Sequence, residues 1–128
     1  MIVVDTSVWL AAPRQRAVAA ALRELIEADE VTLALPVRLE LLAGTARRDR
    51  ATFRRVYSAV PQLHPTEETW IPIPGWIEQA SDAGECFGLI DLLIASMASE
   101  IGGLVWSLDK DFERMERLEM ISLYQLPH

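Results

Sequence analysis

At 128 residues the chain has room for one hydrophobic core, so a single domain over residues 1–128 is expected. With 51% hydrophobic and 24% charged residues, no window looks disordered, no apolar run nears the ~20 residues that span a bilayer, and the start lacks a basic region with a cleavage site; a soluble, cytoplasmic protein is expected. The net charge of −7 argues against broad nonspecific binding to nucleic acid, which depends on phosphate neutralisation, and the single Cys86 excludes an internal disulfide or a cysteine-based zinc cluster.

Residues 2–4 (IVV) are short, β-branched and bounded by polar residues, as a buried strand requires. Val18, Ala21, Leu22, Leu25 and Ile26 then recur at helical spacing, with Arg23, Glu24 and Glu27 on the opposite face. VTLAL (31–35) reads as a second strand, Pro36 suits a first helical turn, and Gly44 suits a stop. An arginine-rich helix is expected to follow, running to about Ala59. Pro61, Pro65, Pro72 and Pro74 break the next stretch into turns, leaving at most a short strand near Leu63. A helix from about Trp76 to Ala83 ends at Gly84, and DLLIASMASEI (91–101) forms an apolar helix closed by Gly102 and Gly103. LVWSL (104–108) is a third strand, DFERMERL a short helix and MISLY (120–124) a final strand. Strands alternating with helices predict an α/β fold built on a parallel sheet.

Asp5 directly follows the first strand, Asp109 directly follows the third, and Glu40 lies about one turn into the helix after the second. Sites in open parallel sheets form outside the carboxyl ends of the strands, so these acids project from one edge. Asp91, which opens its apolar helix, joins them if that helix packs its N-terminus toward the same crevice. Each aspartate also has a plainer role open to it, because Asp5, Asp91 and Asp111 are all placed to cap a helix. Glu40 is harder to account for in that way: leucines on both sides put it close to an apolar face, where an unpartnered carboxylate is costly.

Several carboxylates around one crevice need a metal ion, an arginine or a bound proton between them. All-oxygen donors suit Mg²⁺ or Mn²⁺ rather than zinc, and the only histidines, His64 and His128, fall in expected loop or tail. Such a metal most often serves phosphate chemistry. In TARRDRATFRR, Arg47, Arg48, Arg50, Arg54 and Arg55 face the single acid Asp49. Eleven of the twelve basic residues are arginine, which suits bidentate phosphate contacts, although a solvated helix face gives the same pattern.

Taken together, IVVDTSVWL, VRLELLAG, DLLIASMA and WSLDKDF resemble the successive motifs of PIN-domain ribonucleases, and most of all the VapC-type toxins of toxin–antitoxin pairs. The likeness covers essentially the whole chain, in order and at the usual spacing. It implies a PIN-like three-layer α/β fold, with a central mostly parallel sheet flanked by helices. Asp5, Glu40, Asp91 and Asp109 match the family's acidic quartet, Ser7 matches the hydroxyl after the first aspartate, and Ser107 matches a position more often threonine. The resemblance implies that Asp5, Asp91 and Asp109 hold Mg²⁺ or Mn²⁺, while Glu40 holds or deprotonates the attacking water. Ser7 and Ser107 would fix carboxylates, and the arginine cluster would receive RNA phosphates. The implied protein is a metal-dependent endoribonuclease cutting structured RNA (tRNA or ribosomal RNA), a homodimer whose site is covered by a VapB-type antitoxin. The last motif offers two acids, of which Asp109 is the expected member of the quartet. Asp111 is then a supporting acid or a helix cap, and Glu85, close to Asp91 in sequence, could line the crevice but is expected to be a surface residue.

A receiver-type signalling switch shares the length and the alternation, but it needs a pair of acids after the first strand, where Asp5 stands alone. A PIN-like module that binds without cutting would be marked by a lost acid, and all four are present. A structure-specific DNA nuclease with the same site has no discriminating motif here. Trp9, Trp106, Phe112 and Tyr124 read as core or dimer contacts, Trp70 and Trp76 as exposed residues of a contact surface, and Cys86 as a small buried residue.

Overall fold

Parallel strands need crossovers, and the helices between the strands supply them. The computed structural model describes residues 1–127, in the order β1 (Ile2–Val4), α1 (Thr6–Ala11), α2 (Arg16–Glu27), β2 (Val31–Ala34), α3 (Leu35–Ala43), a 3₁₀ turn (Arg47–Asp49), α4 (Arg50–Tyr57), β3 (Gln62–Leu63), α5 (Glu67–Trp70), α6 (Ile73–Asp82), α7 (Leu89–Glu100), β4 (Leu104–Trp106) and α8 (Lys110–Arg117). His128 lies outside the described residues, and His64 is exposed beside β3. Among the described residues no helix is long and apolar enough to cross a membrane.

The four strands pair in parallel in the order β3-β2-β1-β4, flanked by helices, as the α/β reading expects. Ile2 and Val3 pair with Val31 and Thr32 on one side of β1, and Ile2 to Val4 pair with Leu104 to Trp106 on the other. The chain thus moves outward from β1 through β2 to β3, then returns to lay β4 on the free side of β1. Strand order reverses between β1 and β4, and such a switch point is where an open parallel sheet leaves a crevice at its carboxyl edge.

Leu92 to Ala98 are buried without interruption, and a helix that is apolar all round must be packed on every side. Accordingly α7 packs against α3, α5, α6, β1 and β4. Thr69 Oγ1 donates to Glu100 Oε1 at 2.5 Å, and Ser96 Oγ donates to the Thr69 carbonyl, tying α5 to α7. At the other end of the sheet, Gly103 lets β4 begin hard against β1. A Cβ there would stand 2.8 Å from the Met1 carbonyl oxygen.

Several elements differ from the sequence expectation. MISLY does not form a strand, because β4 is only three residues long and leaves the sheet at Ser107. One parallel bridge, Val105 to Leu123, is all that remains, and Glu116 Oε2 accepts the Leu123 N–H at 2.7 Å. The proline-rich segment carries α5, started by a capping box in which the Thr66 N–H donates to Thr69 Oγ1 at 2.8 Å. α6 begins at Ile73 rather than near Trp76, since Pro74 sits in its first turn, where a missing N–H breaks no bond. The arginine-rich stretch bends through the 3₁₀ turn, and α4 stops at Tyr57, short of Ala59. Cys86 is exposed rather than buried, and its loop is anchored by the buried Phe87 instead.

Trp9, Trp106 and Phe112 lie in the core, with Tyr124 packed on it. Trp70 is exposed, whereas Trp76 is half-buried against the core. Phe112 is fully buried and sits between the acids of the β4–α8 turn and the rest of α8. Phe112→Ala should therefore lower the urea-unfolding free energy by about 3–5 kcal/mol, read from the shift of the denaturation midpoint at constant slope.

Candidate active site

The crevice at the switch point is built first by backbone. The Asp5 N–H donates to the Trp106 carbonyl at 2.9 Å, closing β1 onto β4 at their carboxyl ends. Asp5 is buried, with 6% of its surface exposed. It caps α1 through Oδ2, which accepts from the Ser7 N–H at 3.4 Å and also from the Ser7 and Ser107 hydroxyls, each at 2.8 Å. Each serine oxygen in turn accepts a backbone N–H of the turn after β4: Leu108 to Ser7 Oγ at 2.9 Å, and Asp109 to Ser107 Oγ at 3.0 Å. The capping role and the site role of Asp5 are thus a single arrangement.

The turn so fixed carries Asp109, which caps α8 by accepting the Asp111 N–H on Oδ1 at 2.9 Å. The cap expected of Asp111 therefore belongs to Asp109. Asp91 does not cap α7 either; Gly88 is the N-cap and Asp91 stands in the first turn, aimed at the same crevice. One carboxylate oxygen each from Asp91, Asp109 and Asp111 lies within 4.8 Å of the others. Asp111 thus joins Asp91 and Asp109 in the tightest group, while one oxygen of Asp5 is turned onto the two serines.

Burial, and then the charges of Asp5, Asp109, Asp111 and Glu40, push the Asp91 carboxyl up to about 6. Asp91 thereby feels every acid expected at the site. Glu40 is exposed, however, not buried. α3 buries Pro36, Val37 and Leu41, and turns Leu39 and Leu42 outward with Glu40. Thr6 Oγ1 donates to Glu40 Oε1 at 2.9 Å and holds it on the α1 side of the crevice. From Thr6 and Glu40 a groove runs between α1, α3 and α4 to Thr52, Phe53 and Tyr57. Arg47, Arg48, Arg50, Arg54 and Arg55 are all exposed on the 3₁₀ turn and α4 but do not line that groove, whose α4 side is formed by Asp49, Thr52, Phe53, Val56 and Tyr57.

Two residues of the site escaped the sequence reading, and a third was read as a surface residue. Thr6 gave no signal beyond its place next to Asp5. Arg114 donates from Nη1 to Asp111 Oδ1 at 2.6 Å, and its spacing of three residues on one helix was a usable sign. Glu85 is not a plain surface residue: its Oε2 lies 3.8 Å from Arg114 Nε, a contact from a distant segment that no local pattern could reveal.

The model of the PIN domain matches residues 2–118, and the chain belongs to that family. No curated protein sequence gives a significant match. Among solved structures, the fold is similar to that of VapBC2 from Rickettsia felis bound to a DNA fragment from its promoter, with TM-score 0.80 and 17% identity over 97% of this chain and 98% of that one. DNA-bound VapBC from Salmonella typhimurium is similar at TM-score 0.78 and 16% identity, over 98% of each chain. VapBC-1 from nontypeable Haemophilus influenzae gives TM-score 0.77 and 18% identity, again over 98% of each chain.

The raised Asp91 value has a consequence for stability. In the folded state Asp91 holds its proton from its ordinary 3.8 up to about 6, so folding takes up a proton in that interval and stability falls as pH rises through it. In EDTA, Asp91→Asn should melt above the native protein near neutral pH, and the gap should close as pH is lowered below about 4. Thermal melts across that range check it.

Proposed function

We propose that this chain is a metal-dependent endoribonuclease of the VapC type, the toxin of a toxin–antitoxin pair. The carrying observation is the group of Asp91, Asp109 and Asp111, whose oxygens lie within 4.8 Å of one another at the carboxyl edge of a parallel sheet. Three hard oxygen donors at that spacing fit Mg²⁺ or Mn²⁺, and the crowding that raises Asp91 is the crowding a divalent cation relieves. Family membership supports hydrolysis of a phosphodiester, since PIN domains are generally nucleases.

Asp91, Asp109 and Asp111 would hold the cation, with Asp5 beside them. When bound, the cation supplies a Lewis acid at the scissile phosphate and lowers the pKa of the attacking water. Asp5 keeps the Ser7 and Ser107 hydroxyls in place, and through them the turn that presents Asp109. Glu40, steadied by Thr6, takes the proton of the water as it attacks phosphorus, while the opposite P–O bond breaks and the departing ribose oxygen takes a proton from solvent. The exposed arginines of α4 and its preceding turn bind phosphates flanking the cut, on the surface outside the groove that starts at Glu40.

The neighbours are VapBC complexes, which supports a VapB-type antitoxin as partner and a cytoplasmic setting. Exposed Leu39 and Ile90 border an apolar groove with Leu35, Pro36, Pro65 and Leu93, which supports a homodimer that covers this face.

Purified protein incubated with total tRNA and ribosomal RNA should give discrete fragments with Mg²⁺ or Mn²⁺ and none with EDTA. Asp91→Asn and Asp109→Asn should each lower the rate by more than about 100-fold, beyond the loss expected for a residue that only supports a metal ligand. Thr6→Val, which removes only the hold on Glu40, should cost about 10-fold. Metal-independent cutting, or none with any cation by a folded protein, would sink the proposal. Within the same assay, Arg54→Glu with Arg55→Glu should weaken cleavage and flatten its salt dependence by about 0.7 in log–log slope for each phosphate no longer neutralised. An unchanged salt response removes α4 from the RNA path.

A further inference from the structure

Among the described residues, Arg114 is the only cation paired with an acid of the site. It reaches from α8 toward the α6–α7 loop over the rim of the cluster, with Nη1 2.6 Å from Asp111 Oδ1 and Nε 3.8 Å from Glu85 Oε2. The three side chains are each about one-third exposed (37% for Arg114, 34% for Asp111 and 33% for Glu85). Ion pairs this open contribute little stability, so holding the fold together is a poor account of the arrangement.

Arg114 also works against the cluster it touches. Its hydrogen bond draws on the Asp111 carboxylate, and its positive charge stands one carboxylate away from where a divalent cation would bind. For an incoming phosphodiester the balance is reversed, because that anion approaches Asp5, Glu40, Asp91, Asp109 and Asp111 with this one guanidinium alongside. A guanidinium fork matches phosphate oxygens. Only Nη1 is committed at hydrogen-bond distance; 3.8 Å to Glu85 is an ion pair but not a hydrogen bond.

We infer that Arg114 is a phosphate-contacting residue of this site, parked on Asp111 and Glu85 in the free protein and exchanging Asp111 for a phosphate oxygen when nucleic acid binds. The exchange sets the guanidinium against the strand and leaves the Asp111 carboxylate free of its hydrogen bond, so that it would be open to a cation. No covalent bond is made or broken. The inference takes its ligand class, an RNA strand, from the nuclease reading above, but it does not depend on cleavage.

The test compares the native protein with Arg114→Met, Arg114→Lys and the control Arg117→Met, an exposed arginine of the same helix that makes no ion pair with an acid among the described residues. Mn²⁺ affinity is measured by calorimetry without RNA, and binding of an uncleavable 2′-O-methyl oligoribonucleotide is measured by fluorescence anisotropy over a salt series. Arg114→Met should bind Mn²⁺ about 3- to 10-fold more tightly, since a competing cation is gone. The same variant should bind the oligonucleotide about 10-fold more weakly, with a log–log salt slope smaller by about 0.7. Arg114→Lys should keep the slope and recover only part of the affinity, because charge remains without the fork. Arg117→Met should match the native protein in both measurements.

Weaker binding of Mn²⁺ and RNA together would make Arg114 a mere support for Asp111 and overturn the inference. So would an unchanged oligonucleotide affinity, or a native protein that binds no oligonucleotide. A native protein whose binding depends on Arg114 but which cuts RNA with no metal, or cuts none with any, would uphold this inference while ending the reading of a metal-dependent nuclease.

Discussion

The site depends on one buried carboxylate. Asp5 sits at 6% exposure, where an ionised side chain is tolerated only if its oxygens are well supplied with donors. Two serine hydroxyls and a backbone N–H supply them on a single oxygen. Each serine then accepts a backbone N–H from the turn beyond β4, so the charge of Asp5 is coupled to residues about a hundred positions away in the chain. The need of one acid for donors thereby sets where a second acid, Asp109, is presented. Asp5 ends its strand at this point because the carboxyl edge between β1 and β4 is where the sheet reverses its order and leaves room for a site.

The acids are brought together against their mutual repulsion. Asp91 sits in the first turn of a helix so apolar that it must be packed on every side, and that packing leaves its carboxylate little freedom to withdraw. Its proton affinity is raised first by lost hydration and then by the field of four other carboxylates. Perturbed acids of this kind gather at functional sites, because chemistry on anions needs charge that the fold alone would keep apart. The net charge of −7 therefore misrepresents the local situation, with acids concentrated in the crevice and arginines displayed on α4.

Membership of the PIN family and likeness to the VapBC structures carry different weight. The family match rests on residues 2–118 of the chain itself. Structural neighbours at 16–18% identity share the path of the backbone, which many sequences can follow, whereas function lives in particular side chains on it. In this chain the departures from the expected pattern lie at the rim. Asp111 is drawn into the cation-sized group, Glu85 is half-buried, and Arg114 joins the two.

Local pattern was enough for much of this. The alternation of apolar runs and helical spacing determined an α/β fold with a parallel sheet, and acids placed directly after strands pointed to one edge. Ser7 and Ser107 stood in the sequence where the structure puts them, against Asp5. What the sequence could not determine was every relation that depends on angle around a helix or on contact between distant segments. Glu40 read as buried because its neighbours are leucines, yet α3 packs through Pro36, Val37 and Leu41 and turns Leu39, Glu40 and Leu42 outward. MISLY had the composition of a strand, but a strand needs a partner of matching length and β4 ends after three residues. The meeting of Glu85 with Arg114, and of Asp91 with Asp109 and Asp111, was decided only by tertiary packing. Composition and spacing act within a few residues along the chain, while these charges interact through space, at distances that the packing of α7 and α8 against the sheet alone determines.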